Sequence, residues 1–181
     1  MKKRLLTLFA MCLCLASNIH AEDLYLVGDG TIIGWAKESS YANDDRCLEA
    51  RQPTRMIEIR DGVYEWTGLL KHGGEGFKIV RDKGMAGYRP SSSNYSISGS
   101  GSSTYQETND YKWNPTNTDW QYYTITLNTN DQTLSWEQVT PTLLEPTDGV
   151  YYISTAEQLN TLAFMLRNNV NKESYNVKLT A

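Results

Sequence analysis

Between Gln121 and Gln138 the chain spells out an antiparallel hairpin. Tyr123, Ile125 and Leu127 alternate with Thr124 and Thr126 on the first arm, Leu134 and Trp136 share a face on the second, and Asn128-Thr129-Asn130-Asp131 lies between. Successive side chains of an extended strand point to opposite faces, so a period of two sends one row into a core and the other towards water. The rest of the stretch from Asp23 to Val139 follows suit. Gly62-Val63-Tyr64-Glu65-Trp66-Thr67-Gly68 and Gly76-Phe77-Lys78-Ile79-Val80 read as strands with aromatic residues at spaced positions, and Leu24-Tyr25-Leu26-Val27-Gly28 precedes a Gly34-Trp35 turn. Thr54–Ile59 reads as a strand with Met56 and both isoleucines partly buried, and Asp61-Gly62 as a tight turn into the next strand. Short patterned runs punctuated by Gly, Ser, Asn, Thr and Asp predict an all-β antiparallel sandwich or barrel.

Two stretches break the pattern. Residues 37–52 are polar, with Asn43-Asp44-Asp45-Arg46 at their centre, and residues 84–108 carry Ser91-Ser92-Ser93 and Ser98-Gly99-Ser100-Gly101-Ser102-Ser103. Both are expected to be long loops, the kind of segment that carries function in a compact domain.

The ends are of different character. Lys2, Lys3 and Arg4 precede the apolar run Leu5–Ala16, and Ile19-His20-Ala21 offers a cleavage site, so residues 1–21 read as a signal peptide. Met11 and Leu13 stand before Cys12 and Cys14, where a lipoprotein signal wants a small residue, so soluble export is expected without direct membrane insertion. Loss of that segment's three cations takes the net charge from −4 to −7. An acidic chain argues against nucleic acid as a partner, which needs a basic footprint. Cys47 is then a lone thiol, so no internal disulfide is available. Beyond a linker with Pro141 and Pro146 (residues 140–148), Gly149–Ile153 predicts a strand and Ser154-Thr155-Ala156-Glu157 a helix start. Leu159, Leu162, Ala163 and Leu166 give that helix one apolar face, and Tyr175–Thr180 predicts a further strand. Residues 149–181 are expected to be the truncated start of a second domain.

Taken in order, Leu24–Asp29, Gly34-Trp35, Gly62–Gly68, Phe77-Lys78-Ile79 and Tyr122–Leu127 resemble the SusE/SusF outer-surface starch-binding family over about residues 23–139. The resemblance implies an immunoglobulin-like β-sandwich that grips an α-glucan without catalysis, at the surface of a Gram-negative cell. Members that bind often place an aromatic soon after the Phe-Lys strand; here Val80-Arg81-Asp82-Lys83 follows, and the nearest aromatic is Tyr88. Tyr151–Leu159 with Val177–Thr180 is similar to the first turn of the β-helical repeats of bacterial adhesin-like proteins.

Catalytic signatures are sparse. His72 sits in a Gly-rich turn, no Gly-x-Ser-x-Gly elbow accompanies it, and no ligand spacing joins it to Cys47 as a zinc site. Asp44, Asp45, Asp61 and Asp131 occupy turn contexts that local hydrogen bonding explains. Gly28-Asp29-Gly30 is followed by no helix, so it is no phosphate loop. A non-enzymatic role without a cofactor or metal is expected. Sugar rings stack a C–H face on Trp or Tyr while their hydroxyls take polar partners, which makes aromatic residues with basic neighbours the candidates. Trp66 and Trp136 are expected in the core, and Trp35 either there or at a site. Trp113 and Trp120 bracket Asn114–Asp119; with Tyr88, Arg89 and Arg81 they are expected to converge as platforms and donors for a polysaccharide. Lys78 alternates with Phe77 and Ile79 and is expected to decorate the solvent side. The competing expectation is an extracellular spacer with surface-protein partners, displaying the β-helical unit.

Overall fold

A computed structural model describes residues 22–35, 45–168 and 175–180. The signal segment 1–21 and the Asn43-Asp44 turn lie outside the described residues.

The fold is all-β, built on a large antiparallel sheet. Its strands are β1 (Leu24–Val27), β2 (Ile57–Arg60), β3 (Val63–Leu70), β4 (Lys78–Arg81), β5 (Gly87–Pro90), β7 (Ser100–Gln106), β9 (Gln121–Asn128) and β10 (Thr133–Val139), with β6 (Tyr95–Ile97) lying outside it. Their order across the sheet is β1-β4-β5-β7-β10-β9-β3-β2. The expected hairpin is β9–β10, with Leu134 opposite Leu127 and Trp136 opposite Ile125. Asp61-Gly62 turns β2 into β3, as its sequence predicts.

The two outer strands do not remain open. The backbone N–H of Met56 donates to the Leu24 carbonyl at 2.8 Å, and Tyr25 and Arg55 form an antiparallel bridge. One segment thus touches β1 at its start and β3 in its continuation, which satisfies groups that an exposed edge would offer to other chains. The main core draws Leu24, Leu26, Tyr64, Trp66, Phe77, Ile79, Tyr123, Ile125, Leu127, Leu134 and Trp136 from the inward rows. Met56 joins it, but Ile57 and Ile59 are 59% and 53% exposed, contrary to the expectation of partial burial. They share the outer row of an edge strand, and no described element covers them.

The outer face of β1 and β4 has its own cover. Tyr25, Val27 and Val80 pack there against Ile33, Trp35, Leu48 and Met85, where helix α1 (Asp45–Arg51) crosses. The buried Arg51 guanidinium donates to the carbonyls of Asp82 and Gly84, tying α1 to the β4–β5 turn. Residues 45–51, expected to be loop, are therefore helical.

Residues 84–108 are not a loop either; they form β5, β6 and β7. The Ser/Gly run pairs with β10 from Ser100 opposite Glu137 to Thr104 opposite Thr133. A Cβ on Gly101 would lie 2.6 Å from Cζ2 of Trp136, so the glycine makes room for an indole crossing the strand. Gly68 does the same beneath Trp66, at 2.2 Å. What looks like low-complexity sequence is a strand whose apolar partner comes from its neighbour.

At one end of the sheet three loops interlock. Gly28 has φ 147°, and a Cβ there would sit 2.0 Å from the Gly76 carbonyl oxygen, a position only glycine tolerates. The Asp29 carboxylate accepts from the N–H of Glu75 at 3.0 Å and of Gly76 at 2.9 Å. Phe77 N–H donates to the Trp113 carbonyl at 2.8 Å, docking strand β8 (Trp113–Pro115), which pairs in parallel with β6.

The chain then runs into β11 (Tyr151–Ile153), helix α2 (Ala156–Arg167) and β12 (Val177–Leu179), with β11 and β12 parallel. The capping box lies one residue later than the Ser154–Glu157 pattern predicts: Thr155 Oγ1 accepts from Gln158 N–H at 3.1 Å, and Gln158 Oε1 accepts from Thr155 N–H at 3.2 Å. The buried stripe of α2 is Thr161, Leu162 and Met165, whereas Leu159 and Leu166 are exposed, so the apolar face is rotated from the expected one. Phe164 meets Tyr122 at a ring-centroid distance of 6.1 Å, and Asn168 clasps the Trp120 backbone through Nδ2 to its carbonyl (2.8 Å) and Oδ1 from its N–H (3.0 Å).

Candidate functional site

Beyond β8 the chain cannot continue as a strand, because Pro115 lacks a donor, and Asn114–Asp119 turns instead into the wall of a cleft. The cleft measures about 330 Å³ and is lined by His72, Ser96, Asn114, Pro115, Thr116 and Thr118. Asn114 stays fixed by exchanging hydrogen bonds with Gly73, its Nδ2 donating to the carbonyl at 3.0 Å. Asn117 holds the turn from behind: its Nδ2 donates to the carbonyls of Leu70 and Asp119, and its Oδ1 accepts from the Tyr123 hydroxyl at 2.8 Å. His72 N–H donates to the Asn117 carbonyl at 2.6 Å, and its Nδ1 lies 3.0 Å from the Pro115 carbonyl. A carbonyl only accepts, so Nδ1 is the donor in this contact. The lining is thus hydroxyl, amide, imidazole and pyrrolidine. Such a surface can hydrogen-bond a polyhydroxylated ligand and present an apolar patch to it.

Trp120 stands at the far end of the same loop, partly exposed, with Lys71 Nζ 4.8 Å and the Arg167 guanidinium 5.2 Å from its ring centroid. Trp113, at the near end, is fully buried; its indole N–H donates to Ser103 Oγ at 2.9 Å, and its ring lies 5.9 Å from Phe77. It is a core residue and offers no face to a ligand. Its strand packs against Phe77 on the inner side, and the bracketing of a polar loop by two tryptophans concealed that difference.

Tyr88 is likewise not a platform. It is 4% exposed, packs edge-on against Tyr105 at 4.7 Å, and its hydroxyl accepts from Arg81 at 2.7 Å and donates to Glu22 at 3.0 Å. Burial raises the Tyr88 phenol's pKa well above its ordinary value. Arg81 is committed in the same place, bonded to both Glu107 oxygens at 2.7 and 2.8 Å and to Glu22 at 2.9 Å. Hydrogen bonding to Arg81 holds the Glu107 carboxyl below the usual range. These groups close one end of the core. Arg89 is buried, with its guanidinium donating to the carbonyls of Gly87, Met85 and Glu107. The expected convergence of Tyr88, Trp113 and Trp120 on one open shelf therefore does not occur, because two of the three rings fill the interior.

Trp35 is partly buried against the outer face of β1 and β4, and the ammonium groups of Lys78 and Lys112 each lie 5.6 Å from its ring centroid. Lys78 does point away from the core, as alternation requires, but it is 6% exposed rather than solvent decoration. Burial lowers its pKa, opposed by the charge of Asp110. Asp110 gathers three cations: Lys112 Nζ at 2.9 Å, Lys78 Nζ at 3.4 Å and Arg89 Nε at 4.0 Å. The hydrogen bond from Lys112 depresses the Asp110 pKa. Sequence reasoning missed this cluster because its members come from β4, β5 and the segment after β7, with no spacing that announces them. Among the described residues no group of three or more His, Cys, Asp or Glu could hold a metal ion.

No protein-family model, curated protein or solved structure matches the chain.

The site must therefore be argued from its own chemistry. Ser96, Thr116, Thr118 and His72 bring polar groups to a concave surface, and the partly exposed Trp120 stands two residues from Thr118.

Proposed function

We propose that this chain is an exported, non-catalytic polysaccharide-binding module of the outer cell surface. The observation that carries the reading is the hydroxyl-, amide- and imidazole-lined cleft on the loop that ends in Trp120. Neutral sugars need that combination: fixed hydrogen-bonding groups for hydroxyls and an aromatic ring for the C–H face. The resemblance to the starch-binding family makes a starch-like α-glucan the first ligand to try. Its immunoglobulin-like sandwich would divide the sheet between β5 and β7 and close it where Arg55 and Met56 meet β1. Among the described residues the β5–β7 ladder has two residue pairs, Arg89–Gln106 and Pro90–Tyr105, as the β4–β5 ladder does, and Arg55 and Met56 meet β1 through one bridge and one hydrogen bond. On that reading β1-β4-β5 is one layer and β7-β10-β9-β3-β2 the other.

The test is affinity electrophoresis through gels containing amylopectin or another neutral polysaccharide. His72→Ala/Trp120→Ala should lose retardation while keeping its thermal transition. Retardation equal to the unaltered protein's rejects the cleft as the site.

A second reading has its own observation. Arg167 over Trp120 and the Asn168 clasp commit the loop to holding α2, as a spacer displaying the strand–helix–strand unit would require. That reading predicts no retention by any glycan on a broad array, and binding to a surface protein instead.

A further inference from the structure

We propose that Lys78, Arg89 and Lys112 form, beside Trp35, a receptor for the carboxylate of a uronic-acid residue in an acidic polysaccharide, with Asp110 seated in it as an internal stand-in. The inference rests on the reading that the chain binds polysaccharide, but it concerns a second place on the molecule and a different sugar chemistry.

Three observations carry it. First, the cluster is built. Lys78 and Arg89 are 6% and 8% exposed, and only 12% of the Lys112 side chain is accessible, so the cations are held by the fold rather than waving in solvent. Buried charges are costly unless paired, and here three cations face two carboxylates, Asp110 and a more distant Glu75 at 3.7 Å from Lys112. Second, the set is incompletely satisfied. Arg89 Nε is buried and has no hydrogen-bond partner among the described residues, with Asp110 Oδ1 4.0 Å away. An N–H left in that state would gain from an acceptor placed closer. Third, the group now holding the cations is replaceable. The Asp110 side chain is 73% exposed and sits between β7 and β8, so an incoming carboxylate displaces one surface side chain and no core element.

Trp35 supplies what a simple anion site lacks. Its ring lies against two of the three cations, so a pyranose whose C–H face stacks on the indole would bring a substituent carboxylate towards Lys78 and Lys112. Since the chain as a whole is acidic, retention by a polyanion is not expected from net charge.

The test is affinity electrophoresis of the unaltered chain, Asp110→Asn and Lys112→Gln in gels containing polygalacturonate, dextran sulfate or amylopectin. Polygalacturonate should retard the unaltered chain. Asp110→Asn, which removes the internal competitor at nearly constant volume, should tighten binding by about tenfold, and Lys112→Gln should weaken it by about tenfold, the scale of one charge-assisted hydrogen bond. Titration of the unaltered chain with digalacturonate should also change tryptophan fluorescence, and that readout needs no variant to fold. The proposal is overturned by absence of polygalacturonate binding, by equal or weaker binding of a folded Asp110→Asn, or by equal retardation in dextran sulfate. Retardation by amylopectin alone overturns it while leaving the cleft reading intact; retardation by neither removes both.

Discussion

Replacing Trp113 by alanine separates a core tryptophan from a sugar platform, because the two roles predict opposite outcomes. The ring is wholly buried, against Phe77 and under β7, and its N–H is bonded to Ser103 Oγ. Burying roughly 200 Å² of aromatic surface at about 25 cal/mol/Å² stabilises by about 5 kcal/mol. A partly collapsing cavity brings the expected loss for Trp113→Ala to about 3–5 kcal/mol. The hydrogen bond adds little, since Ser103 is partly exposed and its hydroxyl can be rehydrated. With a urea slope of about 2 kcal/mol/M, the midpoint followed by far-UV circular dichroism should fall by about 2 M without a change in slope. Trp113→Phe, which keeps most of the ring, should lose less than half as much. A midpoint within about 0.5 M of the unaltered protein's, together with lost glycan retardation, would refute the burial argument and restore Trp113 as a platform.

Two further outcomes follow from side-chain contacts. Glu107 is paired with Arg81, and its folded-state pKa lies below its ordinary value of 4.5. Its contribution is therefore present above that value and is lost as pH falls through the depressed one. Urea midpoints of Glu107→Gln should lie slightly below the unaltered protein's at neutral pH and merge with them in acid; a gap that persists or widens in acid contradicts the pairing. Asn168→Ala removes both side-chain hydrogen bonds to the Trp120 backbone, about 1–2 kcal/mol of docking. Hydrogen exchange in α2 should accelerate while exchange in β9 and β10 stays unchanged, and uniform acceleration of both would show that the helix is not a separate docking unit.

Much of the β architecture was legible because it is local. The β9–β10 hairpin, the Asp61-Gly62 turn and, to within one residue, the start of α2 all depend on residues near one another in the chain. The period of side chains or a short motif announces each of them. The segment 84–108 was illegible for the converse reason. Gly101 belongs to a strand because Trp136 lies across it, and that indole comes from the neighbouring strand β10. Ser and Gly alone carry no alternation, so the pattern exists only in the pair. Lys78 shows the same limit: alternation correctly sent it outward, but could not reveal that Trp35 and Asp110 cover it there.

What the amino-acid order settled unaided was that the alternating runs extend, that Asp61-Gly62 turns and, to within one residue, where α2 begins, since backbone preference and side-chain alternation act between near neighbours. Tertiary contacts decided the rest. Packing through space sealed Trp113 against Phe77 and Ser103 and left Trp35 and Trp120 partly open. It also drew three cations, from β4, β5 and the segment after β7, round one carboxylate, because burial and charge pairing depend on distance through space, which no local pattern encodes.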